Sequence, residues 1–307
     1  MSFRKERLQN FKRPEGIRKE LLYDEKSPED IKSLFLEVLH GGVSGFCFSI
    51  YEEGQKPGTI ISDAQVRRRM QILKPYTNSV RSFSCIEGNE LVPKIAKEFG
   101  MKTLVGAWLG TDKEKNLQEI MSLIQLARDG YVDYAAVGNE VLYRKDLTEH
   151  ELLEIISYVK KEIPDIPVGY VDAYYEFAER PAITEACDVI FCNCYPFWEG
   201  TGFNDSFEHM QQMYHHALMA GNGKKVIITE TGWPSQGQSL RGAEPSNLNA
   251  MKYFINTNLW AIDENIEVFY FSSFDETWKV GPEGDVGAHW GIWDKSEKLK
   301  FVDGHIS

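Results

Sequence analysis

Two glutamates sit where a carboxylate could act on a bound molecule. Glu140 ends the run AAVGNE and Glu230 ends VIITE, each closing an apolar stretch of strand character. They lie 90 residues apart. Emerging at one rim of a barrel, two such carboxyl groups can face each other and cleave an acetal, one protonating the leaving oxygen while the other attacks or stabilises the anomeric carbon. From spacing alone, capping a loop or pairing with Arg81 accounts for each glutamate equally well.

The elements that must position them follow from periodicity. Short β-rich runs fall at 45–51, 79–85, 102–109, 132–140, 166–174, 189–197, 224–230 and 266–274. Amphipathic helical patterns lie between them near 62–75, 89–99, 112–129, 148–162, 180–187, 206–220 and 246–263. Ser62, Asn89, Thr148 (with Glu151 three residues on) and Ser246 read as helix starts. Gly100, Gly130 and Gly221 read as helix ends. The 263 residues after position 44 give about 33 per unit over eight units, the size of a βα repeat. One (β/α)₈ TIM barrel over 45–307 is therefore expected, with residues 1–44 as an N-terminal extension whose helix, near 28–39, packs on it. An open doubly wound sheet fits less well, because no GxGxxG follows the first strand.

In such a barrel chemistry gathers at the carboxyl ends of the strands. Those ends present Tyr51, Trp108, Asn139 with Glu140, Asp172 with Tyr174 and Tyr175, Tyr195 through Trp198, Glu230 then Trp233, and Glu276 through Lys279. Six of the seven tryptophans lie at or after strand ends, where flat rings suit the apolar faces of sugars.

Composition narrows the partners. A net charge of −12 disfavours nucleic acid and acidic membranes and fits a neutral ligand. No stretch is apolar enough for a membrane span, and the basic start MSFRKERLQNFKRPEG lacks a signal-peptide core. A cytoplasmic protein is expected, or a secreted or periplasmic one if a signal peptide has been removed. Cys47, Cys85, Cys187, Cys192 and Cys194 fall in strand-like or apolar surroundings as buried thiols. Neither they nor the histidines show metal-ligand spacing, so no metal and no cofactor are expected. Oligomeric state is left open.

The local motifs VGNE (137–140), NCYPFW (193–198), ITETGWPS (228–235) and FSSFDETWK (271–279) resemble glycoside hydrolase family 17, the β-1,3-glucanases and β-1,3-glucanosyltransferases. The resemblance runs in order over about 43–301, and GFCFSIYEEGQ and YVDAYYEF look closer to its bacterial branch than to the plant enzymes. It implies a retaining enzyme acting on β-1,3-glucan, with Glu140 as acid/base and Glu230 as nucleophile. Hydrolysis and glucanosyl transfer share the first half-reaction and both stay open; a non-catalytic glucan-binding barrel is the remaining alternative. Asn139 is then expected to bond the sugar 2-hydroxyl, and Arg81 and Tyr195 to orient Glu230. Glu276 and Lys279 would bind hydroxyls, Trp198, Trp233 and Trp278 would be sugar platforms, and Tyr51, Asp172 and Tyr175 would be cleft residues.

Overall fold

Parallel strands need a crossover between neighbours, and the alternating pattern of this chain supplies one each time. The computed structural model describes residue 23 and residues 26–302. Its strands are β1 (Gly45–Cys47), β2 (Ser79–Ser82), β3 (Lys102–Ala107), β4 (Tyr134–Asn139), β5 (Val168–Ala173), β6 (Val189–Asn193), β7 (Lys225–Thr231) and β8 (Val268–Tyr270). They close in sequence order, β1 pairing with both β2 and β8, into the expected (β/α)₈ barrel.

Helices α1 (Pro28–Gly41), α2 (Asp63–Leu73), α3 (Leu91–Glu98), α4 (Lys113–Arg128), α5 (Val141–Arg144), α6 (Glu149–Glu162), α7 (Glu176–Glu179), α8 (Pro181–Ala186), α9 (Phe203–Gly221) and α10 (Asn247–Asp263) surround it. Ser62, Thr148 and Ser246 cap α2, α6 and α10 through their side chains. Asn89 does not cap α3: its amide donates to the Ile86 carbonyl at 2.9 Å, and α3 starts after Glu90 with no side-chain cap. Gly221 is still helical, and the left-handed residue that ends α9 is Asn222 at φ 46°.

Outside the barrel, α1 lies against α10, with the Phe35 and Phe254 rings 5.0 Å apart and Tyr23 donating to Asn256 at 2.9 Å. The rest of the expected extension, residues 1–22 and 24–25, lies outside the described residues.

Several strands are shorter than their apolar runs. The run 45–51 is strand only to Cys47, yet Phe48, Ile50 and Tyr51 stay buried. Beyond Cys47 side chains take over backbone donors: the Ser49 N–H bonds the Ser273 hydroxyl (2.9 Å), and the Tyr51 N–H bonds Glu276 (3.2 Å). Hydrophobic pattern reports burial, and at the barrel mouth burial outlasts the ladder.

Candidate active site

Each glutamate strand carries one extra residue just before its glutamate. Between Ala136 and Asn139, β4 advances three residues while β5 advances two, and between Cys192 and Asn193 the partner on β7 jumps from Ile228 to Glu230. Such bulges re-aim the side chains that follow them. At the first, Gly138 has φ +83° and Glu140 itself φ +51°. A left-handed conformation costs a side-chain-bearing residue about 1–2 kcal/mol. It is held here by the Glu140 N–H bond to the Val171 carbonyl (2.8 Å) and by the start of α5. Beyond the second bulge, a Cβ at Gly232 would fall 2.0 Å from the Phe271 carbonyl oxygen, so only glycine lets the chain leave β7 this way.

Both oxygens of Glu230 are held. Arg81 donates through Nη1 to Oε1 at 2.7 Å, and the Tyr195 hydroxyl donates to Oε2 at 2.8 Å. The buried Arg81 guanidinium lies 4.3 Å over the Phe83 ring and also donates to Asn139 Oδ1 (2.7 Å) and the Thr229 carbonyl (3.0 Å). Burial, and then the Glu230 charge, push the Tyr195 hydroxyl well above its usual range, so it stays a donor.

Glu140 has a different environment. Burial and the nearby Glu230 charge raise its pKa above the ordinary carboxyl value. A 3.1 Å hydrogen bond from the Asn193 amide and the Arg144 charge pull the other way. Asn193 in turn accepts from the Thr229 hydroxyl at 2.9 Å, which ties the partner of Glu140 to the neighbour of Glu230.

A cleft of about 640 Å³ opens over this pair. Of the expected residues, Tyr51, Asn139, Glu140, Tyr195, Trp198, Glu230, Glu276, Trp278 and Lys279 line it, with Arg81 behind them. Glu276 and Lys279 pair at 2.9 Å, and the Lys279 ammonium lies 4.1 Å from the Phe271 ring centre. Burial opposes the Lys279 charge, but Glu276 and Glu283 raise its pKa above the usual lysine value. Trp278 stands edge-on to Tyr51 with centroids 5.7 Å apart.

Three expected cleft residues are elsewhere. Trp233 is 1% exposed, donates to the Glu244 carbonyl at 2.9 Å and packs among Phe197, Phe203 and Tyr253, so it presents no face to a sugar. Asp172 is fully buried beneath the rim and accepts from the Tyr170 hydroxyl, which itself accepts from the Leu142 N–H at 3.0 Å. It braces the turn after Glu140 and does not reach the cleft. Burial first, then Glu140, push its carboxyl well above the ordinary range. Tyr175 is buried edge-on to Tyr174, because the chain turns into α7 directly behind it. Trp290 and Trp293 are likewise buried, so the strand-end tryptophans divide between cleft and core.

The sequence reading missed Asn193 and Glu283 as site residues. Asn193 opens the NCYPFW motif at the end of an apolar strand, the same position signal that picked out Glu140. Glu283 lines the cleft from a short helix, α11 (Val280–Glu283); burial lifts it to about 7, Lys279 pulling down and Glu230 pushing up. A glycine-rich segment gave no signal for it. Among the described residues no group of three or more metal-ligating side chains forms a site, and no helix is long and apolar enough to cross a membrane.

The BtgE/BtgC glycoside hydrolase domain matches residues 45–291, the whole barrel. The chain belongs to this family. Among curated relatives of this BtgE/BtgC-type chain is an Arthroderma benhamiae glucan 1,3-beta-glucosidase, 29% identical over 86% of this chain and 91% of that protein. A Saccharomyces cerevisiae glucan 1,3-beta-glucosidase is 28% identical over 80% of this chain and 86% of its own length. Among solved structures, a glycoside hydrolase family 17 β-1,3-glucanosyltransferase from Rhizomucor miehei superposes with a TM-score of 0.75 at 28% identity, covering 85% of this chain and 97% of that one. Its active-site mutant has been solved in complex with laminaritriose. The family resemblance carried by the four motifs thus holds across the barrel.

Proposed function

We propose that this BtgE/BtgC-type chain is a retaining glycoside hydrolase cleaving β-1,3-glucan through a covalent glycosyl-enzyme. The observation that carries the reading is the contrast between two neighbouring carboxyls. Glu230 has both oxygens fixed by Arg81 and Tyr195, as an attacking group needs. Glu140 is raised towards its protonated form, as a general acid needs.

In the first half-reaction a Glu230 oxygen bonds to the anomeric carbon as the glycosidic C–O bond breaks, and the Glu140 proton passes to the leaving oxygen. Esterification removes the Glu230 charge, one of the two causes that raise Glu140. Glu140 can then accept a proton from water as the water oxygen displaces Glu230. Asn139, bonded to Arg81 beside Glu140, would meet the sugar 2-hydroxyl, and Glu276 and Lys279 would meet other hydroxyls.

Glucanosyl transfer is the second reading, favoured by the likeness to the Rhizomucor miehei glucanosyltransferase; there a sugar hydroxyl replaces water. The relatives give the expectation of a cytoplasmic protein no support, and we infer action where polymeric glucan is met, outside the cytoplasm. Incubation with defined β-1,3-gluco-oligosaccharides in ¹⁸O-water tests both reactions. Label at new reducing ends marks hydrolysis and unlabelled longer oligomers mark transfer; intact substrate overturns the proposal.

A further inference from the structure

One tryptophan among the described residues is exposed. Trp108, just after β3, has 42% of its surface accessible and lines the same cleft as the glutamate pair. A large apolar ring left to solvent inside a cleft calls for a ligand.

The ring is held from behind. The Arg144 guanidinium lies 4.5 Å from the indole centre and covers one face. Arg144 is itself immobilised: it donates to the Leu109 carbonyl at 2.9 Å, to Asp146 at 2.7 Å and to the Asn139 carbonyl. Its position is therefore set by the turn that carries Glu140. The indole is thus fixed before any ligand arrives, and a preorganised ring loses little freedom on binding.

Around Trp108 the same cleft is lined by the loops after β1, β2 and β3, which form one arm of it. Gly58, Glu87, Asp112, Lys115 and Asn116 border this arm. Lys115 and Glu87 pair on its border at 3.4 Å, and Asn116 closes the strand-end loop through bonds to both the N–H and the carbonyl of Gly110 (2.8 and 2.7 Å). An apolar plate with polar groups at its edge is the composition a pyranose ring needs: C–H bonds meet the face and hydroxyls meet the rim.

We propose that Trp108, backed by Arg144, is the platform of a separate sugar-binding arm that holds a glucosyl unit remote from the bond being cleaved. The proposal rests on the β-1,3-glucan reading and adds a determinant of chain-length preference to it. The arm contributes only when the substrate is long enough to reach it. Trp108 should therefore raise kcat/KM for long oligosaccharides mainly through KM, and do little for the shortest ones.

The test compares laminaritriose with laminarihexaose as substrates for the full chain, wild type and Trp108→Ala, with Trp108→Tyr as the variant that keeps a ring. The ratio of kcat/KM for the hexaose to that for the triose should fall about tenfold in Trp108→Ala, the scale of one stacked ring, and recover in large part in Trp108→Tyr. The fall should lie in KM, with only a small loss of thermal stability from the Arg144 stacking contact. An unchanged ratio overturns the platform, as does an equal loss in kcat for both substrates. If the wild-type chain turns over neither oligosaccharide, the glucan reading fails instead, a result distinct from an unchanged ratio.

Discussion

Arg81 donates to Glu230 at 2.7 Å from a position only 1% exposed, so a full positive charge is buried against the carboxylate at the centre of the site. Removing one member of a buried, hydrogen-bonded pair strands the other, at a cost of about 3–5 kcal/mol. Arg81→Met should therefore lower stability by roughly that amount and abolish most turnover. Adding Glu230→Gln to Arg81→Met should recover part of the stability but none of the activity. Urea unfolding of the single and double variants checks this; additive losses would mean the two groups do not act as a pair.

Asn193 works against the protonation of Glu140, after burial and the Glu230 charge, which favour it. Its bond favours ionised Glu140, so removing it lifts a pKa that burial and Glu230 already raise. Glu140 must carry its proton to act as acid, and the protonated fraction falls as pH rises through its pKa. In Asn193→Ala the alkaline limb of kcat/KM should consequently move to higher pH, with a loss at the optimum of about tenfold or less from poorer orientation. A limb that stays in place or moves to lower pH would show that the bond does not control the acid.

The buried Trp233 should matter for stability and little for binding. Trp233→Ala should cost about 3–5 kcal/mol as a core truncation. Trp278→Ala, which strips a cleft wall, should raise KM for oligosaccharides with a much smaller stability loss. Thermal unfolding beside initial-rate kinetics separates the two, and a KM effect larger in Trp233→Ala would contradict the assignment.

Glu119 gives a pH dependence of stability. Its carboxyl, buried beside Ser84 and the Cys85 N–H, is pushed up to about 7 from an ordinary 4.5, chiefly by burial. The folded state thus binds a proton more tightly than the unfolded chain. Its contribution is favourable below about 4.5 and is lost as pH rises to about 7, a total near 3 kcal/mol. Glu119→Gln should flatten that part of the stability profile; an unchanged slope would exclude Glu119 as its source.

The barrel was legible because each βα unit repeats a short continuous apolar run, a strand buried on both faces, followed by an amphipathic pattern of period 3.6, which single residues barely disturb. Glu140 and Glu230 stood out as acids ending apolar runs, but that position alone fitted a structural role equally well, and it was the motifs VGNE and ITETGWPS around them that separated the two readings. Trp233 was misplaced for a physical reason. It follows β7 by two residues, a rim position by count, but the bulge before Glu230 and the glycine fitted against Phe271 turn the chain so that the indole packs inward. A one-residue bulge leaves no mark on hydrophobic periodicity, yet decides which face a side chain takes. Asp172 and Tyr175 were misread similarly, since the end of β5 was known but not the turn behind it.

In the proposed mechanism Glu230 becomes covalently bonded to the sugar while Glu140 serves as acid and then base. From an aryl β-laminaribioside or β-laminaribiosyl fluoride the phenolate or fluoride leaves without needing a proton as the anomeric carbon bonds to Glu230, so in Glu140→Gln the enzyme should still be glycosylated while the second step lacks its base. Intact-protein mass spectrometry should then show one added laminaribiosyl unit, and peptide mapping should place it on Glu230. A label on any other residue, or release of a product of inverted anomeric configuration with no label, would contradict the account.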